Sequence, residues 1–277
     1  MKQITRKNVA KYLTFMALVG ILLFGARGLT AYAAEVVDSG YCGEEVRESV
    51  RWELDSDGKL TISGSGTIET VWTMYSPSFY SYDREVKIKT VVIEEGVTGI
   101  GSYAFYRCSD ITSVSIPNTV TYIGDCVFAS CNLTGSIEIP ASVTTIRTDR
   151  GKTFGGTSLT EIKVDENNPN YCSVDGVLYN KDKTELIECP DGKTGTCEIP
   201  DTVTSIANPD YSFSGCTRLT GITIPAGLTE IGTSTFNSLT DIHVAEANPN
   251  YAGENGVLFG KDKKRFYYVR GGERRGI

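Results

Sequence analysis

One block recurs five times in this chain: an aliphatic residue, a second four positions on, a third at seven, and then a Phe. The copies are Ile93/Val97/Ile100/Phe105, Ile116/Val120/Ile123/Phe128, Ile139/Val143/Ile146/Phe154, Ile199/Val203/Ile206/Phe213 and Ile224/Leu228/Ile231/Phe236. Four of the five lead residues are followed by Pro (Pro117, Pro140, Pro200, Pro225). A unit this short cannot bury its apolar side alone, so it must stack on its neighbours as a solenoid. The lead positions Ile93, Ile116, Ile139, Val164, Ile199, Ile224 and Val244 lie 23, 23, 25, 35, 25 and 20 residues apart. A 23-residue unit has no room for a long helix beside a strand, so a β-rich right-handed solenoid is expected, with the aliphatic and Phe side chains merged in one elongated interior. Within 111–117, Ile111, Val114 and Ile116 form the apolar set of a short strand, and Pro117 ends its pairing. Residues 120–123 give the return path, Gly124 the turn, and Phe128 closes the coil from inside.

Two coils depart from the block together, and their departures are offset by 80 residues. Val164 is followed by Asn168-Pro169-Asn170-Tyr171, Gly176-Val177-Leu178-Tyr179 and Lys181-Asp182-Lys183; Val244 is followed by Asn248-Pro249-Asn250-Tyr251, Gly256-Val257-Leu258-Phe259 and Lys261-Asp262-Lys263. Each reads as an Asn-Pro turn, a strand, a polar turn and a returning strand, which gives two inserted β-hairpins at about 165–190 and 245–269. The hairpins are expected to expose Tyr179 and Phe259 beside Lys181 and Lys261, and irregular additions on a regular stack are common places for specific contacts. Cys172 and Cys189 have no counterpart in the second copy, where Ala252 and Val269 stand. Joint loss fits a disulfide across the first hairpin; two independent substitutions fit nearly as well. Cys108, Cys131 and Cys216 each stand three residues after a repeat Phe, so they point inward as small apolar fillers.

The ends of the chain read differently from its middle. Lys2, Arg6, Lys7 and Lys11 precede an uncharged, largely apolar run over 12–26, and Ala31-Tyr32-Ala33 follows with small residues where a signal peptidase reads. Residues 1–33 are therefore expected to be a secretory signal peptide, with an uncleaved anchor as the alternative. No other segment is long and apolar enough to suggest a membrane span. Without the five basic leader residues, 22 Lys and Arg face 34 Asp and Glu, a net charge of −12 that argues against nucleic acid as a partner. The stretch from Lys261 onward is locally basic, either a solvated tail or a contact for anionic polymer or lipid headgroups. Residues 34–87 lack the block. Strand-like alternation around Trp52 and Leu60, a turn at Asp57-Gly58 and the aromatics Trp72, Tyr75, Phe79, Tyr80 and Tyr82 suit an N-terminal β cap on a solenoid over 88–277. The same aromatics are the basis of a rival reading as a sugar-stacking platform. At the other end, either the second hairpin is the cap or the chain is a piece of a longer protein.

These residues resemble a known family. The units at 111–131 (ITSVSIPNTVTYIGDCVFASC) and 219–236 (LTGITIPAGLTEIGTSTF) are similar to the BspA-type (Treponema-type) leucine-rich repeats of bacterial surface proteins. The segment at 52–64 looks like the region that often precedes such repeats, and the Asn-Pro-Asn-Tyr insert is similar to the family's recurrent one. Arg147 in place of Gly after Ile146, and Thr157 in place of Cys, depart from the pattern. The resemblance implies a leucine-rich-repeat stack in a secreted or cell-surface bacterial protein, used in adhesion or protein recognition.

Little in the sequence points to catalysis, and no cofactor or metal is expected. His243 is the only His, so a Ser-His-Asp set would have to use it, and no Gly-x-Ser-x-Gly elbow exists. Asp165-Glu166-Asn167-Asn168 is oxygen-rich, but a turn is the favoured reading because Ala245 replaces Asp165 in the second copy. The expected binding surface is the outward side of the stacked strands: Ser113, Ser136, Glu161, Thr196 and Asp241 in one column, and Ser115, Glu138, Lys163, Glu198, Thr223 and His243 in the next. It is polar, mildly acidic and without aromatic platforms, which favours a protein partner (host matrix, another cell or an envelope component) over a glycan. Outward Ser and Thr as plain strand filler is the bland alternative.

Overall fold

A computed structural model of the chain describes residues 34–70, 86–232, 239–254 and 256–262, with the backbone of 266–268. The expected leader, the aromatics at 72–82, Phe236 and the end of the basic tail lie outside the described residues. The described residues open with strands β1 (Val36–Tyr41), β2 (Val50–Asp55), β3 (Lys59–Gly64) and β4 (Gly66–Ile68). The repeats follow as β5 (Thr90–Ile93), β6 (Val97–Ile100), β7 (Ser113–Ser115), β8 (Tyr122–Ile123), β9 (Thr134–Ile139), β10 (Thr145–Ile146) and β11 (Ser158–Val164). The first insert supplies β12 (Tyr171–Val174), β13 (Val177–Asn180) and β14 (Glu185–Glu188). Then come β15 (Gly195–Glu198), β16 (Ser205–Ile206), β17 (Leu219–Ile224) and β18 (Asp241–Val244), and the second insert supplies β19 (Tyr251–Glu254), β20 (Val257–Gly260) and β21 (Phe266–Tyr268).

The result is a β-solenoid. Strands β1, β2 and β3 pair antiparallel, and β3 then pairs in parallel with β5 and β5 with β7, placing Leu60, Val91 and Val114 in one row. The third aliphatic of the first three blocks joins Ile68 in a second parallel ladder, β4-β6-β8-β10, in which Ile68, Ile100, Ile123 and Ile146 are successive partners. Identical residues in successive coils thus lie about one strand spacing (~4.8 Å) apart. The Phe residues obey the same rule: the Phe105 and Phe128 rings stack at 5.3 Å and 5° between planes, and Phe128 and Phe154 at 5.9 Å and 2°. All three are fully buried. Gly124 does not serve a left-handed turn. A Cβ there would lie 2.5 Å from the backbone nitrogen of Ser102, so glycine is needed because the preceding coil passes too close for a side chain.

The inserts are three-stranded meanders, since a strand from the Asn-Pro-Asn-Tyr motif precedes each expected hairpin. In the first, the β12-β13 turn closes the edge of β11: Ile162 N–H donates to the Gly176 carbonyl at 2.8 Å, and Ser173 Oγ donates to the Ile162 carbonyl at 2.5 Å. The far edge of β14 pairs in parallel with β16, through Leu186 and Ile206. This meander is a septum buried on both sides. Leu178 and Ile187 join the core that holds Phe105, Phe128 and Phe154, whereas Val177, Tyr179 and Leu186 join the core that holds Phe213, Ile224 and Leu258. The expected single interior is therefore two compartments, because strand side chains alternate and both faces of β13 are covered.

The packing of the two meanders overturns two expectations. Tyr179 is 0% exposed and Phe259 7%, so neither ring is offered to solvent. Cys172 and Cys189 are unbridged. Cys172 pairs with Tyr179 on β13 while Cys189 follows β14 on the other side of that strand. The two backbones are then about 10 Å apart by strand spacing, beyond the ~7 Å limit for a disulfide. Cys108, Cys131 and Cys216 are buried, as their phase in the repeat requires.

The Asn-Pro-Asn-Tyr motif proves to be a clasp as well as a turn. Asn168 is 0% exposed. Its Nδ2 donates to the carbonyls of Pro140 (2.8 Å) and Val143 (2.9 Å), and its Oδ1 accepts from the amides of Asn170 (2.9 Å) and Tyr171 (2.8 Å). Tyr171 Oη accepts from the Ile146 amide at 2.9 Å. The second copy repeats the set: Asn248 reaches the Pro225 and Leu228 carbonyls and the Asn250 and Tyr251 amides, and Tyr251 Oη the Ile231 amide. Each clasp ties its own turn to the preceding coil, where the Pro140 and Pro225 carbonyls also accept from the Val143 and Leu228 amides.

Candidate functional site

The strand face carries its outward residues in register. Thr90 pairs with Ser113, Ser136 with Glu161, and Thr196 with Gly221 and then Asp241. In the neighbouring column Val92 pairs with Ser115, Glu138 with Lys163, and Glu198 with Thr223 and then His243. Ser113, Ser115, Ser136, Glu138, Glu161, Lys163, Thr196, Glu198, Asp241 and His243 are exposed and Thr223 is half-buried. The alternation that sends Ile137, Ile162, Ile222 and Ile242 inward sends these residues out. Lys163 lies 3.7 Å from Glu161 and His243 lies 3.9 Å from Asp241, both on open surface where such pairs contribute little.

The ladder is interrupted between β7 and β9 and again between β11 and β15, so the face is carried by three separate sheets. A cleft of about 400 Å³ opens at the C-terminal ends of β7, β9 and β11, with Ile116, Ile139 and Val164 on its walls and Glu138, Lys163 and Asp165 beside them. There the predicted charged face meets apolar side chains. Lys181 and Lys261, the polar half of the expected insert sites, are exposed, and each donates back to its own loop, to the Glu166 carbonyl at 3.1 Å and the Glu246 carbonyl at 2.8 Å. Asp165 Oδ1 accepts from the Asn167 amide at 2.8 Å, the turn geometry read from the sequence. Among the described residues no helix is long and apolar enough to cross a membrane.

A second cluster escaped the sequence reading. Lys152, Glu188 and Asp191 are buried together where the two cores meet. Lys152 Nζ contacts Asp191 Oδ1, donates to the Ser214 carbonyl at 3.0 Å and lies 3.6 Å from Cys216 Sγ. Gly156 N–H donates to Asp191 Oδ2 at 2.6 Å. Glu188 accepts from the amides of Thr153 (2.9 Å) and Phe154 (3.0 Å). Burial pushes the Glu188 carboxyl from the usual 4.5 up to about 7, with the Lys152 charge and the two amides acting against it. Burial opposes the charge on Lys152, but the facing Cys216, Asp191 and Glu188 outweigh it and its pKa is raised. Nearby, Lys193 Nζ donates to the Asp175 carbonyl at 2.6 Å and to Oδ2 at 2.7 Å. One signal was available: Lys152 stands two residues before a repeat Phe, where Tyr103, Cys126 and Tyr211 stand in other copies.

Short stacked coils, almost without helix and with aliphatic and Phe columns inside, define a leucine-rich-repeat β-solenoid that presents a strand face. The profile of the BspA type leucine rich repeat region matches residues 75–194 and 191–252 in six copies, and the chain belongs to this family. Among solved structures, a leucine-rich repeat protein from Eubacterium ventriosum is 27% identical over 75% of this chain and 72% of its own, with a TM-score of 0.42. The pneumococcal vaccine antigen PcpA is 19% identical over 75% of this chain and 71% of its own, with a TM-score of 0.49. A leucine rich cell surface protein from Faecalibacterium prausnitzii is 22% identical over 72% and 75%, with a TM-score of 0.32. No curated protein matches the chain.

Proposed function

We propose that this chain is a non-enzymatic interaction module that acts outside the bacterial cell, exported by its leader, and that it holds a protein partner on the strand face. The observation that carries the reading is the pair of in-register exposed columns with a partly apolar cleft beside Glu138 and Lys163. A rigid ladder presents side chains at fixed spacing, so a partner meets them without an ordering cost on this side. The cleft gives an apolar side chain of the partner a seat, and the charges around it set orientation. The N-terminal residues 1–33 support export, and family membership supports protein recognition.

The test is a binding panel of immobilised host-matrix and envelope proteins, run beside a glycan array. The expected result is saturable binding to a protein that falls at least about tenfold when Glu138→Lys and Lys163→Glu are combined, with the melting temperature unchanged. Strong array binding abolished by Trp72→Ala, with no protein bound, overturns the reading.

A further inference from the structure

An amine and a carboxyl group meet in a closed pocket. Lys152 is 5% exposed and Asp191 7%. They are 39 residues apart in sequence, with the whole first meander between them, so their contact ties the last Phe coil of one core to the segment that opens the next. Burying an ammonium and a carboxylate costs several kcal/mol per ion, and a neutral amide in the same place carries no such cost.

The surrounding groups suit an amide as well as they suit an ion pair. Gly156 N–H already donates to Oδ2, the oxygen that an amide keeps as its carbonyl, and it polarises that group toward attack. The Ser214 carbonyl already accepts from Nζ and takes the one N–H that an amide nitrogen retains. Both polar atoms of the product therefore have their hydrogen-bond partners in place. A Cβ at Gly215 would stand 2.3 Å from Oδ2, so glycine there is what lets Asp191 enter the pocket. Burial, helped by the Asp191 charge, raises the Glu188 carboxyl to about 7, so a second proton carrier stands beside the pair near neutral pH.

We propose that Lys152 and Asp191 condense into an intramolecular amide that covalently joins the two halves of the solenoid. The ammonium passes a proton to the carboxylate and frees its lone pair. Nζ attacks Cγ and the Nζ–Cγ bond forms. The Cγ–Oδ1 bond breaks, and Oδ1 leaves as water with two hydrogens that began on Nζ. Nothing is oxidised or reduced, and no co-reactant enters. The cross-link is independent of the proposed binding face.

Proteolysis of the natively folded full-length chain followed by mass spectrometry tests the proposal. The expected main product joins the peptides that carry Lys152 and Asp191, lighter than their sum by one water, about 18 Da. It is absent from Lys152→Arg, which keeps a cation facing Asp191. Recovery of the two peptides separately at full mass from folded wild-type protein overturns the proposal, and that readout stands whether or not the variant folds.

Discussion

Removing one buried amide should unfasten a coil. Asn168 makes four hydrogen bonds to backbone groups: it donates to Pro140 and Val143 in the coil before it and accepts from Asn170 and Tyr171 in its own turn. A net ~1 kcal/mol per bond gives about 4 kcal/mol for Asn168→Ala, and buried groups left without partners keep the figure from falling much below 3 kcal/mol. For a domain of ordinary stability that is a large fraction of the whole. Asn168→Asp separates hydrogen bonding from volume. The carboxylate cannot donate, so it faces two carbonyl oxygens, and its cost at neutral pH should equal or exceed that of Ala and shrink as the solution is acidified. Urea unfolding monitored by tryptophan fluorescence gives the stability change, and hydrogen exchange at the Ile146, Asn170 and Tyr171 amides reports the local opening. A cost below about 1 kcal/mol for Asn168→Ala, or an Asp variant milder than the Ala one at pH 7, would refute the clasp.

Two further outcomes follow from the septum. Tyr179 is buried and its hydroxyl has no hydrogen-bond partner among the described residues. Tyr179→Phe should therefore stabilise the protein by about 1 kcal/mol, read as a higher urea midpoint; a loss of that size would mean the hydroxyl has a partner. Glu188 binds its proton up to about pH 7 in the folded chain but only up to its usual 4.5 when unfolded. Its contribution is thus fully present below about pH 4.5 and is lost as pH rises through 7, a change on the order of 3 kcal/mol, and Glu188→Gln should flatten that slope in urea midpoints taken across the window.

The repeat phase alone determined the stack. A residue such as Phe128 has no way to bury its ring except against the same ring one coil away, so Phe105, Phe128 and Phe154 announce their contacts by spacing, and the polar columns follow from the alternation around Ile137 and Ile162. The inserts were legible as strands and a turn, but not by their faces. Period-two alternation says that Tyr179 points opposite to Leu178; only the second set of coils, packed against the far side of β13, decides that both directions are interior. The same blindness hid the Lys152, Glu188 and Asp191 cluster and misplaced the Cys172–Cys189 pair. Which distant charges share a pocket, and which cysteines have a strand between them, depends on how two coils close over a septum. That is a property of packing in three dimensions, and no local pattern of residues encodes it.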